Sequence, residues 1–130
     1  MKRIAIVILS VSALPIQAAI GDEIRHTAFP AAFLGSWAET PDKCTTHDES
    51  NIVIEPGQYG DVQGSCAVRW IVETPGSHGP NYAVHAYCTS AAQPAKTQTV
   101  NIIIRPQDDG RAKMGRSFGD LKEYQRCPAG

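Results

Sequence analysis

Past the first twenty residues, apolar side chains recur at every second position and not at every third or fourth. Ile52 and Ile54 alternate with Val53 and Glu55, and Val100, Ile102 and Ile104 alternate with Asn101, Ile103 and Arg105. Side chains on a strand point to opposite faces in turn, so each run reads as a strand with one apolar face. Short β-branched and aromatic runs separated by Gly, Pro, Asn and Asp clusters are the pattern of an all-β domain. Strands are expected at Phe33 to Glu39, Asn51 to Glu55, Cys66 to Glu73, Tyr82 to Thr89, Thr97 to Arg105, Arg111 to Gly115 and Leu121 to Arg126. Residues 40–50 read as a polar loop. Residues 57–64, with three glycines in eight positions, read as another. One apolar face per strand, over one core, predicts a small antiparallel barrel; a two-sheet sandwich is the alternative.

The third and fourth runs allow a register to be derived. Thr74-Pro75-Gly76-Ser77-His78-Gly79-Pro80-Asn81 between them has strong turn chemistry. Antiparallel pairing that sets Cys66 opposite Cys88 also sets Val68 opposite Ala86, Trp70 opposite Val84 and Val72 opposite Tyr82. All eight then share the core face. Ala67, Arg69, Ile71 and Glu73 share the other face with Ala83, His85, Tyr87 and Thr89. A slip of one residue would set each apolar row against this mixed one.

Cys44, Cys66, Cys88 and Cys127 are the only cysteines. Their spacings of 22, 22 and 39 contain no C-x-x-C pair, which favours disulfides over a zinc site. The register gives Cys66–Cys88, and elimination gives Cys44–Cys127; spacing alone leaves the two other connectivities open. The N-terminus supplies the compartment. Lys2 and Arg3 precede an apolar run from Ile4 to Leu14 and then Pro15-Ile16-Gln17-Ala18-Ala19, the three parts of a secretory signal peptide. The apolar run is shorter than the roughly 20 residues a spanning helix needs, so no stable membrane anchor is expected. The chain divides into a leader at 1–19, a lead-in at 20–32 and a single β domain at 33–130, placed in the periplasm or outside the cell.

Charge adds an exclusion. Without Lys2 and Arg3, 10 of the 12 basic residues remain against 13 acidic ones, which argues against nucleic-acid binding. Residues 22–95 hold three basic and nine acidic residues, and residues 96–130 hold seven and four. Attraction between the two parts is one consequence; a mixed solvated surface is the plainer one.

Chemistry is sparse. No G-x-S-x-G, phosphate loop or dinucleotide fingerprint occurs. His47-Asp48-Glu49 reads as a solvated acidic loop before it reads as a metal site. Neither a cofactor nor a catalytic group is implied, and the expectation is a non-enzymatic protein, with a small hydrolytic or metal-dependent enzyme as the remaining alternative. The candidate binding surface is Arg69, His85 and Tyr87 on the mixed face, with His78 in the Pro/Gly loop; Tyr and Arg are favoured at interaction hot spots.

Phe33-Leu34-Gly35-Ser36-Trp37 carries a resemblance. A G-x-W on the first strand resembles the opening of lipocalin-like barrels and of small periplasmic barrels that inhibit secreted metalloproteases. In those families the Trp seals one barrel end. With four cysteines and Tyr124-Gln125-Arg126-Cys127 near the end, the chain also resembles small exported bacterial proteins of unknown function. The resemblance implies a barrel that binds an extracytoplasmic protein, as an inhibitor does, or a small apolar ligand, as a carrier does.

Overall fold

A computed structural model describes residues 23–129. The expected leader and its cut lie outside the described residues. The strands are β1 (Ile24–His26), β2 (Gly35–Ala38), β3 (Ile52–Glu55), β4 (Gln58–Asp61), β5 (Gly64–Thr74), β6 (Asn81–Ser90), β7 (Gln93–Pro106), β8 (Ala112–Gly115) and β9 (Lys122–Arg126). Neighbouring strands run β5-β4-β3-β2-β9-β8-β7-β6, and β6 pairs back to β5. The sheet thus closes into an eight-stranded antiparallel barrel, and closure removes most of its free edges. The ninth strand, β1, lies on β5 beyond the end of β4, with Arg25 opposite Val72.

Both disulfides form, Cys44–Cys127 and Cys66–Cys88. Cys66 and Cys88 face each other on β5 and β6, and Val68 faces Ala86, as the apolar pattern requires. From there the expected register fails. A bulge between Val68 and Trp70 makes Trp70 face His85, Ile71 face Val84, Val72 face Ala83 and Glu73 face Tyr82. One extra residue on β5 reverses the alternation beyond it. Ile71 enters the core at 0% exposure, and Trp70 goes to the outer face only partly covered.

The core runs through the barrel as one cluster that includes Phe29, Phe33, Trp37, Ile52, Ile54, Tyr59, Ile71, Val84, Ile102, Ile104 and Met114. Burial of Phe29 and pairing of Ile24–His26 place the later part of the lead-in within the folded body. Trp37 is buried and donates its Nε1 hydrogen to the Phe33 carbonyl at 3.0 Å.

Two segments read as loops each contain a regular element. Pro41–Thr46 forms helix α1, which Pro41 starts without losing a needed hydrogen bond. His47 ends it in the left-handed region (φ 50°), and Asn51 Nδ2 donates to the Lys43 carbonyl at 2.9 Å. The Cys44–Cys127 bridge ties α1 to the chain's end, where Cys127 N–H donates to the Ser36 carbonyl at 2.8 Å. The glycine-rich segment contains β4, whose Tyr59 points into the core. Gly64 (φ +144°) begins β5, and a Cβ there would overlap the Thr89 carbonyl; a residue with a side chain cannot replace it without a backbone shift.

Candidate functional site

The bulge creates the most distinctive surface of the barrel. In a regular strand Arg69 and Trp70 would point to opposite faces. Here both side chains engage the outer face of β6. The Trp70 ring stacks on His85 with centroids 4.8 Å apart and planes 25° from parallel. Arg25, brought in by β1, puts its Cζ 5.4 Å from the Trp70 ring centre. Beside this stack the Arg69 Cζ lies 4.7 Å over the ring of Tyr87, which is 42% exposed. Cation–π contacts of this kind are worth about 0.5–1 kcal/mol at exposed sites.

Two kinds of arginine result. Arg111 and Arg116 are ion-paired, to Glu123 and Asp61, each at 2.8 Å. Arg25, Arg69, Arg105 and Arg126 lie over aromatic rings and make no ion pair with a described carboxylate. Arg25 and Arg69 together give the strip two guanidinium groups that have no ion pair with a described carboxylate.

Three of the four residues expected to bind, Arg69, His85 and Tyr87, therefore share one surface. His78 is elsewhere, in the loop after Thr74. Tyr87 is six residues beyond Asn81 on β6, on the order of 20 Å along the strand. His78 lines a separate cleft with Arg105 and Lys113. Trp70 and Arg25 are the residues that the sequence reasoning did not place here. The bulge moved Trp70 outward, and Arg25 needed β1.

Polar contacts join the strands near both ends of β5. At one end Arg116 Nε donates to Asp61 Oδ2 at 2.9 Å and Nη2 to Oδ1 at 2.8 Å. The pair joins the acidic and basic parts of the chain, as does Lys122 with Glu39 at 3.7 Å. Beneath it, burial pushes the Tyr59 phenol up. At the other end Tyr82 donates to Glu73 Oε1 at 2.8 Å, and His26 Nε2 lies 3.2 Å from Oε2. These contacts, the Tyr82 hydroxyl first, hold the Glu73 carboxyl below its usual range.

Among the described residues no three His, Cys, Asp or Glu side chains converge as a metal-holding group. Asp48, from the His47-Asp48-Glu49 segment, accepts hydrogen bonds from Ser50 N and Oγ at 2.9 and 2.6 Å. It closes a local turn. Also among the described residues, no helix is long and apolar enough to cross a membrane. Neither a family model, nor a curated protein, nor a solved structure matches this chain.

Proposed function

We propose that this barrel is an exported binding module, periplasmic or secreted, that recognises an acidic segment of an extracytoplasmic protein and acts without catalysis. The observation that carries this reading is the Arg25–Trp70–His85 stack beside the Arg69–Tyr87 pair. Stacked aromatics offer rigid contact area at low entropic cost, and the unpaired guanidinium edges suit carboxylates presented across an interface. Where the partner is an enzyme, such as a secreted protease, occupation of its surface is inhibition. The two disulfides fit an oxidising compartment.

Interior packing supports an outer surface over a carrier's chamber. Ile71, Val84, Ala86, Ile102 and Ile104 each have 0% exposure, whereas side chains around an empty chamber would show surface to it. An eight-stranded barrel is just wide enough for its own side chains to fill it.

The test is capture from an extracytoplasmic extract on the immobilised, oxidised protein, beside Trp70→Ala and the double variant Arg69→Gln/Tyr87→Ala. A partner retained by the parent and lost by both variants, with its elution advanced by salt, is expected. Equal retention by all three proteins overturns the assignment of this strip.

A further inference from the structure

The ladder between β7 and β8 places Arg105 directly opposite Lys113. Like charges at opposed positions of an antiparallel pair repel, and a carboxylate at one of them is the ordinary remedy. Here neither cation has an ion pair with a described carboxylate. Glu123 faces Lys113 from β9, but its Oε1 is 2.8 Å from Arg111 Nη1. Asp109 is 3.7 Å from the same guanidinium group. The Arg105 Nε is buried and has no hydrogen-bond partner.

Both cations line one cleft of about 430 Å³ at the end of the barrel. The Gly76–Gly79 loop lines it too and carries His78, and Asn81, Gln107 and Asp108 add further polar groups to the lining. The Arg105 Cζ lies 4.9 Å from the centre of the exposed Phe118 ring. A Cβ on Gly76 would lie 2.8 Å from Asn81 Nδ2, and Gly79 has φ +119°, so the loop is closed tightly around glycines. Asp108 is the one carboxylate of the lining. It suits a ligand that brings hydroxyl donors as well as negative charge.

We propose that this cleft binds an oxyanion carried on a small hydroxylated molecule, a sugar phosphate or a uronic acid. Arg105 and Lys113 take the oxyanion, His78 stands at the rim, and Asp108 and Asn81 take hydroxyl groups. The oxyanion supplies a partner to two cations that have no ion pair with a described carboxylate, and the cleft volume is within the range of small-molecule sites. This surface is distinct from the Trp70–Tyr87 strip and does not depend on the strip's role.

The test is amide-resolved NMR titration of the oxidised protein with glucose 6-phosphate, glucuronate, inorganic phosphate and glucose. Saturable shifts at Gly76, Gly79 and Lys113 are expected with the first two, and none with glucose. Inorganic phosphate binding as tightly as glucose 6-phosphate removes the hydroxyl part of the proposal. Lys113→Gln weakens binding about tenfold or more, the loss expected of a charge-assisted contact, while its melting temperature without ligand stays equal to the parent's or rises. Lys96→Gln, on β7 outside the cleft lining, binds as the parent does. Non-saturable shifts, an equal response of Lys113→Gln and the parent, or glucose binding as well as glucose 6-phosphate overturns the proposal.

Discussion

Trp70 faces His85 across β5 and β6, and the next residue, Ile71, faces Val84 inside the barrel. Two adjacent apolar residues thus have opposite roles. Ile71→Ala opens a void in a packed interior and is expected to cost about 2–5 kcal/mol. Trp70→Ala removes a stacked, partly exposed ring and is expected to cost only about 1 kcal/mol. Urea denaturation of the two variants measures the difference; the unbulged register predicts the reverse order.

The bulge also marks where sequence reading stops. Ile52 and Ile54, Ile102 and Ile104, and the Cys66–Cys88 pairing were legible because each rests on a period of two with one apolar row. At Val68-Arg69-Trp70-Ile71-Val72 the apolar residues outnumber one face, so the pattern cannot say where an extra residue enters. Val68 and Ile71 both contact the core side, a spacing of three that appears only once β6 fixes it. The β4 strand was hidden by Gly57, Gly60 and Gly64, whose composition suits turns. Helix α1 is too short for a helical period to show. Three of the five residues of the binding strip, Arg69, His85 and Tyr87, were legible as an outer-face group; the bulge adds Trp70, and Arg25 joins through a three-residue strand that no local pattern announces.

The disulfides should contribute unequally. Loop closure predicts an upper figure of about 4.5 kcal/mol for Cys44–Cys127 and about 3.4 kcal/mol for Cys66–Cys88. Replacing each pair by serine, followed by denaturant melts, should show the larger loss for the pair that closes the longer loop. A nonreducing peptide map of exported protein should return both bridges and no free thiol.

Arg116 and Asp61 meet through two parallel hydrogen bonds with side chains 19% and 12% exposed. Asp61→Asn leaves a mostly covered guanidinium without its counterion and is expected to cost about 2–3 kcal/mol, less than for a fully buried pair. The double variant Asp61→Asn/Arg116→Met should recover part of that loss, because no uncompensated charge remains. Thermal melts of the three proteins at one pH read the coupling directly.

Stability should fall at both extremes of pH through the His26–Glu73–Tyr82 contacts. Glu73 binds its proton less readily in the fold than in the unfolded chain. Its contribution is therefore present above the ordinary carboxylate range and lost as pH drops through and below about 4. Tyr82 is shifted the other way, up to about 12, by burial first and then by its hydrogen bond to Glu73. The folded state keeps that phenol proton after the unfolded chain has lost it, so this contribution is complete below about pH 10 and disappears as pH rises towards the shifted value. Glu73→Gln should flatten the acid limb and lower the alkaline shift of Tyr82, because the carboxylate no longer faces the phenolate. Tyr82→Phe should remove its part of the alkaline limb and leave only the His26 contact to hold Glu73 down. Denaturant midpoints measured across the pH range for the parent and both variants would show these changes; an acid limb unchanged in Glu73→Gln would mean that other carboxylates govern it.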